Sequence, residues 1–210
     1  MAGSGESAKP AQHSDEQVAA IWVGGDPPKL SGPVVLVDYD EDWPRLFGRE
    51  ADRIRTALGD RAVRIQHVGS PSVPGLAAKP IIDVVLELPD SADEPEYVPA
   101  LEAVGYRLVI REPHWYEHRV FKGPDTNINL HVFSAGCLEA RPMLLFRDWL
   151  RSHESDGEFY AAAKRELATR TWTYIQNYAD AKTEVVTQIL RHAAASGIDP
   201  KGGGPAPTQA

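Results

Sequence analysis

The sequence is poor in cysteine, in positive charge and in long apolar runs, and each shortage excludes a class of protein. Its 210 residues include one cysteine, Cys137, which excludes an intramolecular disulfide and a cluster of thiolate metal ligands. Lysine and arginine total 22 against 30 aspartates and glutamates, and this net charge of −8 argues against a general binder of nucleic acid or anionic membranes. No segment approaches the ~18 apolar residues that cross a bilayer, and the N-terminal residues lack the apolar core of a signal peptide. We therefore expect a cytoplasmic protein with neither a nucleic-acid nor a membrane partner.

The composition along the chain predicts one folded domain between two tails. The predicted segments are a disordered N-terminal tail (1–17), a packing arm (18–33), the folded domain (34–195) and a disordered C-terminal tail (198–210). The tails hold too few apolar side chains to offset the entropy that ordering them would cost. Within the arm, Ile21 and Trp22 are the side chains expected to pack onto the domain.

The order of the predicted elements indicates an α+β fold. The β-branched run 34–39 predicts a strand, and further strands and helices alternate as far as residue 133. The pattern then becomes amphipathic and predicts three successive helices, over 138–150, 156–178 and 179–195. We expect a mostly antiparallel or mixed sheet covered by helices, with a helical C-terminal part.

The segment HVGSPSVPGLAAKPIIDVV (67–85) carries the most chemistry. Asp83 lies among four aliphatic residues of a predicted strand, and a charge there is costly unless something polar or cationic meets it. Gly69 allows a close backbone approach, and its turn can present N–H groups to an anion. Three further side chains of the segment are candidates for binding a substrate: Ser70, Ser72 and Lys79.

This segment resembles the signature of the GrpB-like family. Further segments extend the resemblance over almost the whole predicted domain: 39–47, 118–123, 129–133, 144–151, 160–168 and 178–190. The resemblance implies a nucleotidyltransferase-type fold, and GrpB-like domains also occur fused to dephospho-coenzyme A kinases. Enzymes of that fold hold two metal ions, usually magnesium, on three carboxylates. Here Gly69 and Ser70 match the Gly-Ser position and Asp83 the first carboxylate, but the second is Val85 and the third falls on His131.

The missing carboxylates suggest a different set of ligands. His67, Asp83 and His131 lie on three predicted strands, and two imidazoles with one carboxylate suit zinc or iron(II) better than magnesium. The alternatives are a magnesium ion on Asp83, or a metal-free catalytic or structural network of Asp83 and the two histidines.

Basic and aromatic side chains downstream are further candidates for substrate binding: Arg119, Lys122, Tyr160 and Lys164. The pair Tyr178 and Lys182 also shares one face of a predicted helix, and a solvated face is the favoured interpretation there.

Taken together, these patterns favour an enzyme: a small-molecule transferase or condensing enzyme with a polar or metal site at Asp83. The expected substrate is a small molecule, such as a nucleotide or another phosphorylated compound. Two alternatives stand beside it, a metal-dependent tailoring enzyme with a 2-His-1-carboxylate site and a non-catalytic module that binds a nucleotide or cofactor. The sequence leaves the oligomeric state open.

Overall fold

A five-stranded mixed sheet organises residues 12–197, the part of the chain described by a computed structural model. The strands are β1 (Arg64–Val68), β2 (Ile82–Leu88), β3 (Arg107–Glu112), β4 (His118–Lys122) and β5 (Ile128–Ser134). Their order across the sheet is β1-β2-β5-β4-β3. Only the central β2–β5 pair is parallel, and the three other pairs are antiparallel.

Seven α-helices accompany the sheet in the described part of the chain. They are α1 (Asp15–Ile21), α2 (Trp43–Leu58), α3 (Val98–Ala103), α4 (Ala140–Ser152), α5 (Glu154–Ala168), α6 (Ile175–Ala181) and α7 (Thr183–Ala195). The predicted α+β class, with a mixed sheet covered by helices and a helical C-terminal part, is confirmed. None of these helices is long and apolar enough to cross a membrane.

The main core lies between one face of the sheet and helices α2 and α3. Helix α2 starts at Trp43 with a proline in its first turn, and Gly59 ends it at a φ of 56°. Its apolar side chains recur at helical spacing, so Ile54 is fully buried against Val84 of β2 and Leu130 of β5. Burying a side chain of this size stabilises the fold by about 2 kcal/mol.

The opposite face of the sheet is covered only in part. At one end Val68, Val85 and Phe133 pack against Ala140 at the start of α4. At the other end the sheet faces helices α5 and α6 across open space, which the polar side chains of β2, β4 and β5 line. This open end of the sheet holds the candidate site.

The N-terminal arm packs against the edge of the sheet. A capping box on Ser14 begins helix α1, so ordered structure starts inside the segment 1–17 that was predicted to be disordered. Trp22 bridges Ile110 of β3, and the backbone N–H of Val23 donates to the carbonyl of Val109 at 2.9 Å. Residues 1–11 and the predicted tail 198–210 lie outside the described residues.

Two predicted elements differ from the structure. The run 34–39 forms one β-bridge, from Val37 to Ala78, instead of a strand, because Val34 packs against the C-terminal helices while Val35 is 63% exposed. The predicted helix 156–178 is interrupted after Ala168. There the indole N–H of Trp172 donates to the carbonyl of Leu167. This bond satisfies a carbonyl that would accept a backbone N–H if the helix continued.

Candidate functional site

Asp83 lies on the open face of the sheet, at the parallel pair of strands. Its register partner on β5 is Asn129, whose amide nitrogen donates to the Asp83 carboxylate at 2.8 Å. The sequence analysis did not single out Asn129, although it stands two residues before His131 and therefore on the same face of β5.

The turn after β1 is built against this carboxylate. Gly69 has a φ of +69°, a conformation that side chains rarely adopt, and a Cβ atom there would lie 2.6 Å from an Asp83 carboxylate oxygen. Glycine is thus required at position 69 both by the backbone and by the closeness of Asp83. The close backbone approach expected at Gly69 is made to Asp83 itself.

Two adjoining cavities open beside Asp83. The smaller has a volume of about 60 Å³ and is lined by the Gly69–Ser70 turn, by side chains of helices α5 and α6, and by Lys182, which lies between α6 and α7. The larger has a volume of about 330 Å³ and runs along the sheet beneath the arm. Asp83, Lys79 and Lys182 line both cavities, so the two form one continuous site.

Four lysines from four parts of the chain line this site: Lys79, Lys122, Lys164 and Lys182. Among residues 12–197 the only other lysine is Lys29, which is exposed, and every further strong cation of that range is an arginine. Lysine, unlike arginine, can lose its charge near neutral pH when it is buried. The site therefore brings together lysines, the basic residues that can gain or lose a proton near neutral pH.

Three of the lysines are positioned by polar or aromatic neighbours. Lys164 is buried beneath the turn, where its ammonium group donates to the Ser70 hydroxyl at 2.9 Å and to a backbone carbonyl, and lies 4.6 Å from the centre of the Tyr160 ring. Lys122 on β4 donates to the side-chain oxygen of Asn129. Lys182 lies 5.1 Å from the centre of the Tyr178 ring.

Tyr178 is fully buried, so the solvated helix face predicted for Tyr178 and Lys182 is wrong. Both side chains face the smaller cavity, and the ammonium group of Lys79 lies 5.2 Å from the centre of the same tyrosine ring.

Burial lowers the pKa of three of the four site lysines. The pKa of Lys79 falls to about 7 because of burial and of the positive charges of Lys182 and Lys122. The negative charge of Asp83 opposes this shift by raising the pKa. The pKa of Lys164 also falls to about 7, through burial and then through Lys182. Burial likewise lowers the pKa of Lys122. An anion that enters the site would restore these charges by favouring the protonated amines.

A chain of polar side chains leads from the arm into the larger cavity. His118 on β4 contacts the Glu112 carboxylate at 2.7 Å with one ring nitrogen and His131 at 3.0 Å with the other. His131 lines the larger cavity on the same face as Asp83. At the far end His13 pairs with Asp180 of α6 at 2.9 Å. Neither Glu112 nor His118 was among the predicted site residues.

The predicted convergence of His67, Asp83 and His131 is wrong for His67. Val68, not His67, is opposite Asp83 in the register of β1 and β2, so His67 points to the other face of the sheet. There its ring stacks on Phe47 with centres 4.8 Å apart. Burial, followed by the charges of Arg151 and Arg147, lowers its pKa to about 4.

Two predicted substrate contacts are also wrong. Arg119 is buried on the core side of β4, where it donates to the Glu94 carboxylate at 2.6 Å and lines neither cavity. Ser72 is buried and stabilises the turn, since its hydroxyl donates to the carbonyl of Gly69 at 2.6 Å while its own carbonyl accepts from Arg151.

The residues at Asp83 do not fit a divalent metal ion. Asp83 is the one carboxylate that lines the smaller cavity, Val85 occupies the position of a second carboxylate, and Glu87 lies against Arg64. In the described part of the chain no three His, Cys, Asp or Glu side chains are grouped to hold a metal. The surrounding lysines would repel a cation, so the zinc, iron(II) and magnesium predictions find no support in this donor set.

Comparison with known proteins agrees with the sequence motif. A model described as GrpB protein matches residues 33–192. A UPF0157 protein of Halalkalibacterium halodurans is 54% identical, over 91% of this chain and 97% of that protein. A dephospho-CoA kinase of Mycolicibacterium paratuberculosis is 29% identical, over 87% of this chain and 59% of the kinase. The crystal structure of the conserved protein GrpB from Enterococcus faecalis has the same fold, with a TM-score of 0.69 at 24% identity over 79% of this chain and 100% of that chain. The predicted family is therefore confirmed, and the chain belongs to the GrpB family.

Proposed function

We propose that the chain is a small-molecule transferase, which binds a phosphorylated or otherwise anionic substrate among its four site lysines and uses Asp83 in the transfer. The observation that carries this proposal is the concentration of four lysines around Asp83 in two adjoining cavities. The acidic protein as a whole repels anions, so these lysines create a local positive field where one is bound.

The shape of the site favours a small molecule over a polymer or a lipid surface. The smaller cavity, next to Lys164 and Ser70, has room for an anionic group such as a phosphate. The larger cavity has an apolar wall, which includes Val18, Ile21 and Val120, and this wall suits the organic body of the same molecule or of a second substrate. A nucleic acid or a membrane would instead need an exposed basic surface.

In the proposed reaction Asp83 is the base for the attacking group. In the proposed step a hydroxyl or amine of the second substrate gives its proton to the Asp83 carboxylate as its oxygen or nitrogen bonds to the phosphorus or carbonyl carbon. The leaving group departs with its electron pair, and the charged Lys182 neutralises the negative charge that develops. Asn129 holds the carboxylate in place through its hydrogen bond.

Calorimetric titration with inorganic phosphate, pyrophosphate, ATP and dephospho-coenzyme A tests the binding. The last compound is included because a relative carries the name of that kinase. Lys182→Met removes a site charge and Lys29→Met an exposed one, and the first should weaken binding by about tenfold, or ~1.4 kcal/mol, while the second leaves it unchanged. Binding of none of these compounds, or equal losses in both variants, would refute the proposal.

Asp83→Asn separates transfer from binding. Removing the carboxylate leaves the lysines more positive, so anions should bind at least as tightly as to the unmodified protein, while turnover of any substrate pair that reacts should be lost. A folded variant that binds anions more weakly would show that Asp83 serves binding, for example through a metal ion. Full turnover in the folded variant would favour the non-catalytic role for this residue.

A further inference from the structure

Lys79 differs from the other three site lysines in how its ammonium group is held. Lys122 and Lys164 donate hydrogen bonds to protein oxygens, and Lys182 interacts with the Tyr160 hydroxyl. Within residues 12–197 no hydrogen bond is made by the side chain of Lys79, whose ammonium group lies 5.2 Å from the centre of the Tyr178 ring. Its nitrogen therefore keeps its full capacity to react or to bind.

The backbone presents Lys79 rigidly at the point where the two cavities meet. The preceding residue, Ala78, exchanges two backbone hydrogen bonds with Val37, and the following residue, Pro80, restricts the conformation of Lys79. The carbonyl of Lys79 also accepts from the backbone N–H of Ile81 at 2.7 Å. The backbone is thus held on both sides of Lys79. Because the Lys79 side chain lines both cavities, it can reach a ligand in either one.

The surroundings favour the neutral amine, which is the nucleophilic form. Lys182 and Lys122 disfavour a third positive charge beside them, and burial removes water that would stabilise it. Because the pKa of Lys79 is about 7, about half of these amines are uncharged at neutral pH, against well under 1% for an exposed lysine. Lys164 has a similarly low pKa, but its nitrogen is engaged by Ser70 and a carbonyl.

We propose that Lys79 is a nucleophile that forms an imine with a small aldehyde or ketone carrying an anionic group. The amine nitrogen attacks the carbonyl carbon, the carbinolamine loses its oxygen as water, and a C=N bond joins Lys79 to the ligand with no oxidant or reductant needed. The choice of an anionic carbonyl compound rests on the proposed function, since the neighbouring lysines would hold the anionic group.

Reductive trapping with pyridoxal 5′-phosphate, a phosphorylated aldehyde used here only as a probe, tests this inference. The full chain is incubated with the probe at neutral pH, treated with borohydride and analysed by intact and peptide mass spectrometry. We expect one reduced adduct on Lys79, at least about tenfold more abundant than any on the exposed Lys29. Pyridoxal, which lacks the phosphate, should label Lys79 less, and excess pyrophosphate should protect it.

Two variants make the outcome specific. Lys79→Arg keeps a positive charge but cannot form an imine, so it should abolish the adduct, and Lys29→Arg should leave the adduct unchanged. Adducts on Lys164 or Lys182 in place of Lys79, or anion binding without any adduct, would overturn the inference and leave the proposed anion site standing. Absence of both the adduct and anion binding would overturn both.

Discussion

His67 offers a quantitative test of the two-sided sheet, because its position in the core predicts how stability depends on pH. Burial lowers its pKa in the folded protein from 6.5 to about 4, so between these values the unfolded chain binds a proton that the folded chain does not. The free energy of unfolding must therefore fall as the pH drops through this range. With these two pKa values the loss is about 2 kcal/mol between neutral pH and pH 5.

The substitution His67→Phe should remove this contribution. A phenyl ring can keep the stacking on Phe47, and it removes a ring nitrogen, Nε2, that is buried without a partner among the described residues. Urea unfolding of both proteins at neutral pH and near pH 5 measures the change, and other titrating groups cancel in the comparison. We expect the variant to gain about 2 kcal/mol relative to the unmodified protein at the lower pH.

The control is His114→Phe, which changes an exposed histidine and should leave the pH dependence as it was. If the unmodified protein and His67→Phe lose stability in parallel on acidification, the assignment of His67 to the core is refuted. A loss of anion binding in folded His67→Phe would instead return His67 to the site.

Three further predictions concern the site and its supports. Gly69→Ala should lower the free energy of unfolding by about 2 kcal/mol or more and weaken anion binding, because the added methyl group meets Asp83. Urea unfolding measures the stability and calorimetry the binding, and unchanged values would contradict the geometry. Arg119→Met should lower the free energy of unfolding by roughly 2 kcal/mol, because it removes the buried ion pair with Glu94, and it should leave anion affinity intact. A loss of anion affinity without a loss of stability would place Arg119 in the site. Sulfate, whose charge is constant in this range, should bind at least about fivefold more tightly at pH 6 than at pH 8, because Lys79 and Lys164 both gain protons over this range. A flat affinity would refute this titration.

The features that depend on local sequence could be predicted. The turn with Gly69 and Ser70, the apolar strand around Asp83 and the nearby Lys79 belong to one short segment, and the structure brings all four residues to one cavity. The alternation of side chains along a strand and the presence of a glycine turn were enough to predict that these residues lie together.

The features that depend on register could not be predicted. His67 is separated from the site because β1 pairs with β2 through Val68 and Asp83, and shifting the pairing by one residue would bring it back. The same alternation places Lys122 on the open face of β4 and Arg119 on the core face. Such pairings are fixed by tertiary packing, which a single sequence does not reveal.

Long-range contacts also decided the identity of the remaining site residues. A solvated face was a reasonable interpretation for Tyr178 and Lys182, since an isolated helix would expose them. They face Asp83 because α6 and α7 fold back over the sheet. Asn129 likewise gained its role only from the parallel pairing of β5 with β2.

The parallel pairing of β2 and β5 also constrains the order of folding. The hydrogen bond between Asp83 and Asn129 joins residues 46 positions apart, and the intervening chain must already run through α3, β3 and β4 before β5 can insert beside β2. Closing so long a loop carries an entropic cost that local hairpins such as β3–β4 avoid. The carboxylate on which the proposed chemistry depends therefore reaches its native surroundings only after β5 has docked, and a nascent chain that has not yet released β5 from the ribosome cannot assemble the site.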